Sequence, residues 1–93
     1  MLELNTSTEI VEMLVKKIEK TRKSKKITQK ELASKAGIPY GTYRGLVDSN
    51  TISLVSFISI FQVLGLYNEL NTLVENKKIK TIKEMKEEDK AWK

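Results

Sequence analysis

The sequence predicts an all-α domain of five short helices followed by a basic C-terminal tail. Three observations lead there. Apolar residues recur at three- and four-residue spacing, no segment alternates with period two, and Ser/Thr-x-x-Glu capping boxes and glycine stops punctuate the chain.

The first helix opens at Thr6-Ser7-Thr8-Glu9, where Thr6 and Glu9 suit a reciprocal capping box. Ile10, Leu14 and Ile18 follow at four-residue spacing with Val11 and Val15 beside them, which leaves Lys16, Lys17 and Lys20 on the polar face. The helix is expected to end between Lys23 and Lys25. A second capping box, Thr28-Gln29-Lys30-Glu31, opens a short helix with Leu32, Ala33 and Ala36 inward. Gly37 suits the left-handed position past its end, and Pro39 is suited to the first turn of the next helix.

The third helix is expected from about Pro39 to Val47, with Tyr43, Leu46 and Val47 inward, ending in Asp48-Ser49-Asn50-Thr51. Ser53 is a natural N-cap for the fourth, whose buried face is predicted to be Leu54, Phe57, Ile58, Phe61 and Leu64, with Gly65 ending or interrupting it. Leu66, Leu70, Leu73 and Val74 continue in a new phase as a fifth helix to about Glu75. Beyond Asn76 lysine and glutamate dominate. Thr81-Ile82-Lys83-Glu84 resembles another capping box, but only Ile79, Ile82, Met85 and Trp92 offer apolar anchors. Residues 1–75 therefore read as one folded domain and 76–93 as a charged, flexible tail.

Composition narrows the function. A chain of 93 residues suits a single domain. At 40% apolar and 31% charged it is globular in character. With no cysteine and no histidine it lacks disulfides, the usual zinc frameworks, a thiol nucleophile and a histidine base. The one dense carboxylate cluster, Glu84, Glu87, Glu88 and Asp89, has neither a nucleophile–base pair nor a metal set beside it. No catalytic activity, cofactor, metal or small-molecule substrate is expected. Glu3, Glu9, Glu12 and Lys16 interrupt the apolar positions of the first 18 residues, so neither a signal peptide nor a membrane span is expected, and the cytoplasm is the expected compartment.

The net charge of +5 is unevenly spread. Residues 1–15 carry −3, residues 16–44 carry +8, residues 45–76 carry −3 and residues 77–93 carry +3. A +8 block within 29 residues is the footprint of a protein that holds a polyanion, most often nucleic acid. An acidic membrane surface is the rival partner, and a solvated lysine face is the plain alternative.

A capped short helix, a glycine turn and a second short helix meet the requirements of a helix-turn-helix. Here the stretch ITQKELASKAGIPYGTYRGL, followed by ISLVSFISIFQVLGL, resembles the Cro/repressor-type, lambda-repressor-like helix-turn-helix domain over about residues 10–75. Thr28 and Gln29 at the helix start, Leu32 and Ala33 within it, Gly37 at the turn and Leu64 in the fourth helix fit its signature. A narrower similarity joins Tyr40-Gly41-Thr42-Tyr43-Arg44, Ile52-Ser53-Leu54 and Leu64-Gly65-Leu66 to the small repressors encoded beside HipA-type kinase toxins. Three positions depart from the wider pattern. Pro39 stands where Ser or Thr commonly caps the recognition helix, Val47 where Glu is frequent, and Asn50 where glycine often closes the loop.

The resemblance implies a DNA-binding set of Thr28, Gln29, Tyr40, Gly41, Thr42 and Arg44, with Lys26 and Lys30 toward phosphates. Gln29 would support the recognition helix and approach a phosphate, and Arg44 would fork onto guanine O6 and N7 or bind a phosphate. Gly41 and Gly45 offer no side chain for direct readout, which suits close backbone approach or shape-dependent specificity. The expected function is an autoregulating transcriptional repressor, acting as a homodimer on a palindromic operator in double-stranded DNA. Leu66, Tyr67, Leu70 and Leu73 are the expected dimer or partner surface, with intramolecular core as their alternative. The narrower similarity implies an antitoxin, and the rival function is a protein whose main role is to neutralise a kinase-type toxin.

Overall fold

In a computed structural model, which describes residues 2–75, the chain is all-helical, with five α-helices and no strand among the described residues. They are α1 (Ser7–Ser24), α2 (Gln29–Ala36), α3 (Tyr40–Ser49), α4 (Leu54–Val63) and α5 (Tyr67–Val74). A 3₁₀ turn at Leu2–Leu4, which the apolar spacing does not signal, precedes α1. The acidic cluster 84–89 and the apolar residues Ile79, Ile82, Met85 and Trp92 lie outside the described residues, as does the expected tail.

Both capping boxes form. Thr6 Oγ1 accepts from the Glu9 amide at 3.1 Å while the Glu9 carboxylate accepts from the Thr6 amide at 2.9 Å. Thr28 and Glu31 repeat this at 3.0 and 2.7 Å. Each pair satisfies amides that a helix start otherwise leaves open. These backbone hydrogen bonds also hold the Glu9 and Glu31 carboxyls below the usual carboxylate range.

The helix ends share a second device. Gly37 ends α2 at φ +72°, with the Ile38 amide reaching back to the Ala33 carbonyl at 3.0 Å. Gly65 ends α4 at φ +75°, with the Leu66 amide on the Phe61 carbonyl at 2.9 Å. Both are the six-to-one closure of a left-handed C-terminal cap. Two residues other than glycine also take positive φ. Lys26 follows α1 at φ 58° and Asn50 ends α3 at φ 55°. Asparagine tolerates this region better than most side chains, so Asn50 closes the end of α3 without a glycine.

The core is built from α1 (Val15, Ile18), α2 (Leu32, Ala33), α3 (Tyr43, Leu46), α4 (Ile60, Phe61) and Leu64 beyond it. Helix α2 packs on both α3 and α4, and α4 on α5. Two expectations are corrected. Leu54 is 73% exposed, because as the first residue of α4 it lies ahead of the helix's packed turns; the stripe inward is Phe57, Ile60, Phe61 and Leu64, with Ile60 fully buried. Pro39 sits outside the first turn of α3: at ψ 146° it is the N-cap, and it supplies only its carbonyl, to the Thr42 and Tyr43 amides.

Among the described residues no single helix is long and apolar enough to cross a membrane.

Candidate nucleic-acid interface

The helix-turn-helix is the unit α2, Gly37-Ile38-Pro39, α3. Leu32 and Ala33 hold α2 in the core and Tyr43 and Leu46 hold α3, so the remaining faces of both helices are free to carry polar groups. At the start of α3, Tyr40 is 39% exposed and Gly41 is exposed, while Thr42 and Arg44 are half-buried. Lys30 of α2 lies with its Nζ 5.4 Å from the centre of the Tyr40 ring, a cation–π distance that pairs the two helices at their exposed edge. A Cβ built at Gly41 would meet nothing within 4 Å, so the open patch beside Tyr40 is not forced by internal packing. Gly45 differs. Its Cβ would stand 3.6 Å from the Thr51 carbonyl, which places it toward the α3–α4 loop.

One polar network connects α1, α2 and α3. Glu19 Oε1 accepts from Arg22 Nη2 at 2.8 Å and from Gln29 Nε2 at 3.1 Å. Its other oxygen accepts from Arg22 Nε at 3.1 Å and from the Tyr43 hydroxyl. Arg22 Nη1 donates in turn to the Ile27 carbonyl at 2.7 Å, tying the α1–α2 loop to the same centre. Gln29 Oε1 accepts from Arg44 Nη1 at 2.8 Å, and Arg44 Nη2 reaches Asp48 Oδ1 at 2.6 Å on the next turn of α3.

Burial pushes the Glu19 carboxyl up, but the hydrogen bonds from Arg22, Tyr43 and Gln29 and the Arg22 charge outweigh it and hold the pKa at about 2. Tyr43 moves the opposite way. Burial and its bond to the Glu19 carboxylate raise its pKa above the ordinary tyrosine value. No buried side-chain nitrogen or oxygen among the described residues lacks a partner.

The sequence-predicted residues divide. Gln29, Tyr40, Gly41, Thr42, Arg44 and Lys30 are gathered around the α2 and α3 starts. Thr28 is exposed, and its hydroxyl is used as the α2 cap. Lys26 is exposed in the α1–α2 turn. Glu19 and Asp48, which organise Gln29 and Arg44, escape sequence reasoning because their partners are non-local or are shared with a third residue. Only the four-residue spacing of Arg44 and Asp48 on one helix signals their pairing.

The predicted dimer set also divides. Leu66 and Leu70 pack against the core, whereas Tyr67 and Leu73 are exposed, with Val74 beside them. No group of three or more carboxylates, histidines or cysteines suited to a metal occurs among the described residues. Comparison with protein-family models, with curated proteins and with solved structures finds no match for this chain.

Proposed function

We propose that the protein is a sequence-specific DNA-binding repressor that acts as a homodimer on its own operator. The observation that carries this reading is the juxtaposition at the α2–α3 unit: an exposed Tyr40 at the α3 start with Lys30 against its ring, and a partly exposed Arg44 further along α3. An α-helix fits the major groove of B-form DNA, and lysines around it neutralise phosphates at its edges. The exposed Tyr67, Leu73 and Val74 supply an apolar surface for a second copy, which would set two α3 helices into successive major grooves about 34–36 Å apart.

Fluorescence anisotropy with duplex DNA from the gene's own upstream region, against a scrambled duplex at several salt concentrations, tests the reading. Selective binding that weakens steeply with salt, and that Arg44→Ala removes, supports it. Equal weak binding to both duplexes refutes it.

In a second reading the same exposed α5 surface takes a kinase-type toxin as partner, and DNA affinity depends on its presence. Co-purification of the neighbouring gene's product, with anisotropy repeated on that complex, separates the two.

A further inference from the structure

Gln29 is held at both ends of its amide, and the two ends face different helices. An ionised carboxylate only accepts hydrogen bonds. Glu19 therefore dictates which way the amide points: the Gln29 amino group must face Glu19, and its carbonyl oxygen is left for Arg44. Were the amide reversed, the Gln29 oxygen would meet the Glu19 carboxylate and its amino group would meet the Arg44 guanidinium. Both contacts would be repulsive.

Arg44 is bracketed in turn. Its Nη1 donates to Gln29 and its Nη2 to Asp48, while its side chain keeps 38% exposure. A guanidinium has five N–H donors, so these two bonds leave three for a ligand. A long side chain with its planar group already oriented loses less freedom on binding than a free one. Two parallel N–H groups of one guanidinium match the O6 and N7 acceptors of guanine.

We propose that Glu19 is a positioning residue for base recognition: acting through the Gln29 amide, it holds Arg44 as a pre-oriented reader of one guanine in the major groove. This rests on the DNA-binding reading above. Glu19 itself touches no DNA in this account. Its effect falls on the choice of base and leaves phosphate binding alone.

The test uses the full chain and a library of random-sequence duplexes. The wild type selects its preferred sequence, and each guanine of that sequence is then replaced in turn. Binding is measured for wild type, Arg44→Ala, Glu19→Gln, Gln29→Ala and the Glu19→Gln/Gln29→Ala double variant, with thermal melts recorded on each. Wild type is expected to discriminate against loss of one guanine by about tenfold or more. Arg44→Ala abolishes that discrimination. Glu19→Gln and Gln29→Ala each reduce it several-fold, and the double variant reduces it no further, because both act along one path. The slope of log K against log salt stays constant across Glu19→Gln and Gln29→Ala, since neither change removes a cation that neutralises a phosphate.

Gln29→Ala leaves the Glu19 bonds to Arg22 and Tyr43 in place, so it keeps the test open should Glu19→Gln melt too low. Full discrimination in folded Glu19→Gln and Gln29→Ala overturns the proposal while DNA binding stands. Uniform weakening on every duplex overturns it too, by making Arg44 a phosphate ligand. If the wild type enriches no sequence, the DNA-binding reading falls and the proposal with it.

Discussion

The Tyr43 hydroxyl donates a hydrogen bond to the Glu19 carboxylate, joining α3 to α1 across 24 residues of sequence. Tyr43 is fully buried, so its ring fills the core while its hydroxyl reaches a charged partner at the core's edge. Tyr43→Phe keeps the ring and removes one of four bonds to Glu19. A loss of about 1–2 kcal/mol in folding stability is expected, because bonds to charged groups exceed neutral ones. Urea denaturation at neutral pH measures it, and an unchanged midpoint would refute the role given to the hydroxyl.

Acid sensitivity follows from the same carboxylate. The folded-state pKa of Glu19 is about 2 against an ordinary value of 4.5, so the unfolded chain binds more protons between these values. Its contribution is fully present above about pH 4.5 and is lost as pH falls toward about 2. Thermal melts from pH 6 to about pH 2 should show stability declining through that window, and the decline should be shallower in Glu19→Gln. An equally steep decline in the variant would place the sensitivity elsewhere.

Lys26 adopts φ 58°, a conformation that costs a residue with a Cβ about 1 kcal/mol or more. Glycine has no such cost, although it loses more freedom on folding. Lys26→Gly is expected to stabilise the fold by about 0.5–1 kcal/mol. If Lys26 neutralises a phosphate, the same substitution lowers the salt slope by about 0.9. Denaturation and salt-dependent anisotropy on one variant thus report on strain and on function separately.

Leu73 is 77% exposed, and its removal leaves the core intact. Leu73→Glu is expected to change folding stability by no more than about 0.5 kcal/mol measured on the monomer. Sedimentation equilibrium should show a concentration-dependent dimer for the wild type and a monomer for the variant. A dimer that survives the substitution would move the interface away from α5.

Features that depend on neighbours within a turn or two of the chain are legible in the amino-acid order. Thr6 with Glu9 and Thr28 with Glu31 mark two helix starts because each pair closes its bonds across three residues. Gly37 and Gly65 mark two ends because the left-handed backbone there disfavours a Cβ. Tyr43 and Leu46 are legible as inward residues from helical spacing alone. Tertiary packing decided the rest. Leu54 and Ile60 are both apolar residues of α4, and only the packing of that helix on its neighbours leaves the first in water and seals the second in the core. Lys26 takes a backbone conformation normally given to glycine, which nothing in its side-chain type signals. Glu19 reads as an ordinary acid on a lysine-rich helix until the fold brings Gln29 and Tyr43, from two other helices, to its oxygens. Periodicity predicts which face of a helix is buried, but the partners of a polar side chain depend on where other helices end, which local spacing does not encode.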